Sequence, residues 1–229
     1  MHTHIALVVR ATAAVVVVAA LACGQPQTTV EHMEQHFEEV DAVKDAIIAG
    51  DLTAVKQPAA WLAEHEAAAD LPGEWEPFVA DMKAAAKTAE DATEISVAAV
   101  ATAEMALSCG ACHAAVGQGT AFAFMAQPEE TGVTGHMLRH SWALDQLWRG
   151  LVGPSDELWQ QGAQGLDEAP IQGGSEETRA LGMRIHDLGA QATEAADPAA
   201  RAVIYGELLS TCAGCHVAAG QGPTLAAGH

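Results

Sequence analysis

The chain is one unit written twice. His32-Met33-x-x-His36 returns as His136-Met137-x-x-His140 after 104 residues, and Cys109-Gly110-Ala111-Cys112-His113 returns as Cys212-Ala213-Gly214-Cys215-His216 after 103. The match continues through Ala89 with Ala192, Ala92 with Ala195, Val100 with Val203 and Glu104 with Glu207, and Gly117-Gln118-Gly119 recurs as Gly220-Gln221-Gly222. A duplication of this length limits the fold to two copies of a unit of about 90 residues, each with an apolar face to bury.

Aromatic residues make up only 4% of the 229 residues while alanine is abundant, a balance that favours closely packed helices over sheets. The expected class is all-α. Breakers divide the first copy near Gly50-Asp51, Leu71-Pro72-Gly73 and Asp91 to Thr93, and the second near Gly153-Pro154-Ser155, Gly173-Gly174-Ser175 and Asp197-Pro198. Ser155, Ser175 and Asp197 suit N-cap positions, and Glu176 and Glu177 add negative charge to a first turn. Short connections make successive helices antiparallel, so each copy predicts an up-down-up-down four-helix bundle. The resulting plan is a targeting segment over 1–22, a first bundle over 23–118, a linker over 119–131 and a second bundle over 132–229. Phe122, Phe124 and Met125 give that linker apolar surface that needs a protein face to cover it.

The first helix of each copy carries a heptad seam, Met33, His36, Val40, Val43 and Ile47 in one and Met137, His140, Leu144, Leu147 and Leu151 in the other. His36 and His140 thus stand where a bundle core ordinarily takes leucine. A buried imidazole without a partner costs about 1–3 kcal/mol, so both rings require one.

Cys-x-x-Cys-His is the attachment signature of c-type haem. Thiols three residues apart lie on one face within a helical turn and can add to both vinyl groups of one porphyrin, while the adjoining histidine gives a nitrogen to iron. Cys109, Cys112, His113, Cys212, Cys215 and His216 are accordingly expected to hold two covalent haems, with His113 and His216 as proximal iron ligands. In an antiparallel bundle the start of the first helix lies beside the end of the last, so His36 and His140 are the expected distal ligands. Met33, Met137, His32 and His136 are the alternatives. A hydrogen bond from His36 or His140 to a haem propionate or a backbone carbonyl is the structural alternative, with the methionines as core filler and the outer histidines facing solvent. His65 and His186 occupy no corresponding positions across the repeat and read as surface residues.

The Cys-x-x-Cys-His in each last helix, with Met33-x-x-His36-Phe37 in the first, resembles the cytochrome c-prime family of four-helix-bundle haem proteins. The resemblance covers both copies in architecture. It implies one haem attached near the end of each last helix, and it allows an iron open on one face to gases such as NO or CO.

His2, His4 and Arg10 precede an apolar run over Ala11 to Ala22, the pattern of a secretory signal. Ala20-Leu21-Ala22-Cys23 suits ordinary signal peptidase and also resembles a lipobox, which would put a lipid on Cys23, the cysteine left over by the haem motifs. Such an anchor would tether the protein to a membrane on the periplasmic side. The net charge of −20 becomes −21 once Arg10 leaves with the signal, as 30 acids then face 9 bases, and this excludes nucleic acid as a partner. Two haems on one exported chain, without an accompanying catalytic constellation, point to single-electron transfer between redox proteins; gas binding is the alternative. A zinc site of thiolates and histidines would draw its ligands from two bundles, a thioredoxin-like role needs a βαβ context, and a two-haem peroxidase needs two copies with different ligands.

Overall fold

A computed structural model describes residues 28–66, 71–117, 120–168, 174–220 and 222. Residues 1–22, expected to form a targeting segment, and Cys23, expected to carry a lipid, lie outside the described residues. Among the described residues the regular structure is entirely helical: α1 (Thr29–Ile48), α2 (Leu52–Glu64), a single 3-10 turn (Gly73–Trp75), α3 (Glu76–Asp91), α4 (Ile95–Val116), α5 (Gly132–Val152), α6 (Asp156–Gly165), α7 (Glu176–Glu194) and α8 (Pro198–Ala219).

Local chemistry sets these boundaries. Thr28 and Glu31 close a capping box on α1, the threonine hydroxyl accepting from the Glu31 N–H and the carboxylate accepting from the Thr28 N–H. Asp51 caps α2, Ser155 caps α6, Ser175 caps α7 and Asp197 caps α8, each accepting from amides two or three residues on. Both Cys-x-x-Cys-His helices end in the same way. Gly117 and Gly220 adopt φ of 66° and 62°, the left-handed conformation that glycine reaches without a Cβ penalty, and the repeated Gly-Gln-Gly marks those stops.

Within each copy consecutive helices pack side by side, α1 on α2, α2 on α3 and α3 on α4, then α5 on α6, α6 on α7 and α7 on α8. The copies are not independent beads. α4 and α8 pack closely on each other, α4 also meets α5, and α1 meets α8, so one continuous core runs through both copies. At Gly206 of α8 a Cβ would stand 3.2 Å from the Val100 Cα of α4, which records how near these two helices come. The alanines supply that closeness: Ala98, Ala99, Ala101, Ala103 and Ala106 are all buried around α4. α4 and α8 are long and apolar enough to cross a membrane by length and composition alone, with mean hydropathy of 1.6 and 1.2. Their central position, each packed on several neighbours, is also what a core helix requires.

A polar cluster joins the copies. Lys44 of α1, only 4% exposed, sets Nζ 2.7 Å from Asp145 of α5 and 2.9 Å from Asp41, and lies 5.9 Å from the centre of the Trp148 ring. Burial alone would lower the Lys44 pKa, but the facing carboxylates of Asp145 and Asp41 outweigh it and raise the value. Residues of the linker run back along α5, where Trp142 Nε1 donates to Met125 O at 3.0 Å, Arg149 to Ala123 O at 2.9 Å and Arg139 to Glu130 O at 2.6 Å. Phe122 is covered as its chemistry demands, 5.9 Å from Phe37 of α1 and against α5 at Gly153, while Phe124 stays exposed.

Candidate functional site

Each Cys-x-x-Cys-His lies in the last turns of its helix, α4 or α8, and its histidine is oriented by the other copy. His113 Nδ1 bonds Val152 O at 2.7 Å, the last residue of α5, and His216 Nδ1 bonds Ile48 O at 2.8 Å, the last residue of α1. A carbonyl only accepts, so Nδ1 carries the proton in both rings and Nε2 is the basic nitrogen. A metal-ligating histidine is typically held this way, its second nitrogen donating to a carbonyl that fixes tautomer and ring direction. The helix C-termini provide such carbonyls because their last C=O groups have no partner within the helix.

Cys109, Cys112, Cys212 and Cys215 are free thiols. Burial pushes Cys109 and Cys212 up to about 12 and also raises Cys112 and Cys215. Burial thus keeps these thiols protonated in the metal-free protein, which disfavours a reactive dithiol couple. Gly110, the second residue of the first motif, faces α5 so closely that a Cβ would meet Leu151 O at 2.2 Å.

The remaining histidines among the described residues gather into two triads. His32, His36 and His65 bring one nitrogen each within 4.8 Å of one another, and His136, His140 and His186 do the same in the second copy. Neither triad includes His113 or His216. The heptad seam holds at Val40, Val43, Ile47, Leu144, Leu147 and Leu151, all buried, but Met33 is 39% exposed and Met137 half-buried. His32 and His136 are buried, which corrects the expectation that the outer histidines face solvent: steps of four residues turn them onto the same helix face as His36 and His140.

His65 and His186 are corrected likewise. His65 is the C-cap of α2, which runs antiparallel to α1 and so returns the ring to the start of that helix. There it stacks 3.9 Å from Trp61 and stands 5.0 Å from His32 and 5.3 Å from His36. His186 comes from the middle of α7, and its Nδ1 donates to Leu166 O at 2.7 Å. The two triads thus take their third ring from different helices, which is why comparison by residue offset misses it. Tracking which helix ends meet would have placed His65, whereas His186 leaves no comparable signal.

Burial, then the neighbouring His32 and His65, holds the His36 pKa down at about 4, and burial with His136 and His186 holds His140 at about 3. His32, His65 and His136 are lowered too, chiefly by burial. Rings so depressed are neutral at pH 7 and present lone pairs. The Nε2 atoms of His36, His140 and His186 are buried and have no hydrogen-bond partner. In the second triad Glu168 accepts from His136 Nδ1 at 3.1 Å and is itself held by Arg139.

Comparison with protein-family models, with curated proteins and with solved structures finds no match to this chain.

Proposed function

We propose that the chain is an exported di-haem c-type cytochrome, organised as two tandem four-helix bundles, that passes single electrons between periplasmic or membrane-associated redox proteins. The observation that carries this reading is the carbonyl bond at each motif histidine: His113 and His216 are the rings a c-type haem needs, and both have Nδ1 tied back and Nε2 left basic. Cys109 with Cys112, and Cys212 with Cys215, supply the thioether sulfurs for one haem each. When bound, each haem supplies an iron that takes up and releases one electron.

The chain's own residues do the rest. The C-terminus of α5 sets the ring of His113 and the C-terminus of α1 sets that of His216, so each copy fixes the iron ligand of the other. The net charge of −21 left after loss of Arg10, from 30 acids against 9 bases, draws in partners with a positive face and raises their encounter rate. A lipid on Cys23 would keep that exchange at a membrane surface. A cytochrome c-prime-like gas-binding role is the second reading. Its support is that His36 and His140 each converge with two other histidines, in groups that do not include His113 or His216.

Mass spectrometry of protein matured in a host that attaches c-type haem tests the first part, with two covalent haems expected and none refuting it. Optical spectra of the oxidised and reduced protein, with and without carbon monoxide, separate the readings. Low-spin bands indifferent to carbon monoxide support electron transfer; high-spin bands that shift move the assignment to gas binding.

A further inference from the structure

Haem attachment uses His113 and His216 and leaves six other histidines in two triads without a role. We propose that each triad, His32 with His36 and His65 and His136 with His140 and His186, binds one divalent transition-metal ion of the zinc class through three imidazole nitrogens. The inference goes beyond the haem reading, and it assigns His36 and His140 to these ions and away from the haem irons.

Ring spacing is the first argument. The centroids stand 4.4, 5.0 and 5.3 Å apart in the first triad and 4.2, 5.3 and 5.7 Å apart in the second. With Zn–N bonds of about 2.0–2.1 Å at a tetrahedral ion, three ligating imidazoles place their centroids about 5 Å apart. The rings are already tilted to one another by 32° to 75°, as ligands converging on one point must be. Bringing the nitrogens from within 4.8 Å to the ~3.4 Å of a bound set needs small rotations about the side-chain torsions.

Hydrogen bonding is the second. Buried polar nitrogens are normally satisfied, yet Nε2 of His36, His140 and His186 has no partner, and His140 is only 6% exposed. A metal ion would satisfy all of them. In the second triad the outer nitrogens are already occupied in the manner of a ligating set, His136 Nδ1 by the Glu168 carboxylate and His186 Nδ1 by Leu166 O. The first triad has Trp61 against His65 and no such carboxylate among the described residues, so the second site is the tighter. Imidazole donors select zinc, copper, nickel or iron over calcium and magnesium, and three protein nitrogens leave a fourth position for water.

The test uses the haem-loaded protein, stripped of loose metal and dialysed against micromolar zinc, with zinc and haem counted in the same sample. Two zinc ions per chain are expected. His65→Ala should lose the first ion alone and His186→Ala the second alone, with Glu168→Gln weakening the second about 10–100-fold. The haem spectrum should not move on zinc binding. No retained zinc, two zinc ions retained by either alanine variant, or zinc that shifts the haem bands overturns the proposal. Zinc-edge X-ray absorption on the unsubstituted protein must show three imidazoles, and this decides the matter if a variant does not fold. Zinc without haem would refute the cytochrome and leave the triads standing, and haem without zinc would do the reverse.

Discussion

Replacing Lys44 by methionine removes the cation that ties α1 to α5 while keeping most of the side-chain volume. Asp145 and Asp41 lie 2.7 and 2.9 Å from Nζ, so their oxygens are less than ~6 Å apart once the ammonium is gone, a repulsion of about 3 kcal/mol at an effective dielectric of ~20. The two carboxylates are 34% and 40% exposed, and water recovers part of that, leaving a loss of about 2 kcal/mol. For a chain of this size that is a fall in Tm of about 4–8 °C. Thermal melts followed by far-UV circular dichroism at pH 7 and low salt measure it. Adding Asp145→Asn should restore roughly half of the loss, because the like-charge repulsion is then gone while Asp41 still lacks its cation. The cation links both copies, so the melt should also stay a single transition. A Tm change under 2 °C, or one that Asp145→Asn leaves untouched, would falsify the reading of Lys44 as the electrostatic joint between the copies.

Gly110→Ala puts a methyl where Leu151 O lies 2.2 Å from the built position and should cost about 1–3 kcal/mol with loss of haem from the first motif, whereas Gly214→Ala, whose nearest atom is Leu181 Cδ1 at 3.7 Å, should be neutral or stabilising. Equal melting curves for the two variants would remove the close approach of α4 and α5 as the cause. In metal-free protein, acid should destabilise through the triads. With pKa values of about 4 for His36 and about 3 for His140 against about 6.5 unfolded, the unfolded chain binds more protons between those limits. Stability is therefore full above pH 6.5 and falls as pH drops towards 4, and a double His36→Gln, His140→Gln variant should flatten a plot of Tm against pH. An unchanged slope would show that other groups govern it. Cys112→Ala and Cys215→Ala should each lower haem content and stability together, measured by haem absorbance and melting on the same samples.

Much of this architecture was legible in the sequence. The helix boundaries follow from breakers and caps, because Asp51, Ser155, Ser175 and Asp197 satisfy amides that the helix leaves open only at its start. The seams through Val40, Val43 and Ile47 and through Leu144, Leu147 and Leu151 follow from helical periodicity, which is a local property. The duplicated Cys-x-x-Cys-His is legible as a motif within five residues, whereas the carbonyls that orient His113 and His216 come from the other copy.

What the tertiary structure decided is which helices meet. Periodicity singles out no face of α4, which is apolar all round; it packs on α3, on α5 and on α8 from the other copy, and no residue in either helix names its partner. Lys44 looks like a solvated charge until α5 brings Asp145 to it. His65 and His186 look like surface residues until α2 and α7 deliver them to rings set 104 residues apart on α1 and α5. The acceptor for His216 lies 168 residues away at Ile48. These are contacts between surfaces already formed. Sequence fixes each surface through short-range sterics and hydrogen bonding, and only the packing of the described helices on one another selects among the pairings those surfaces permit.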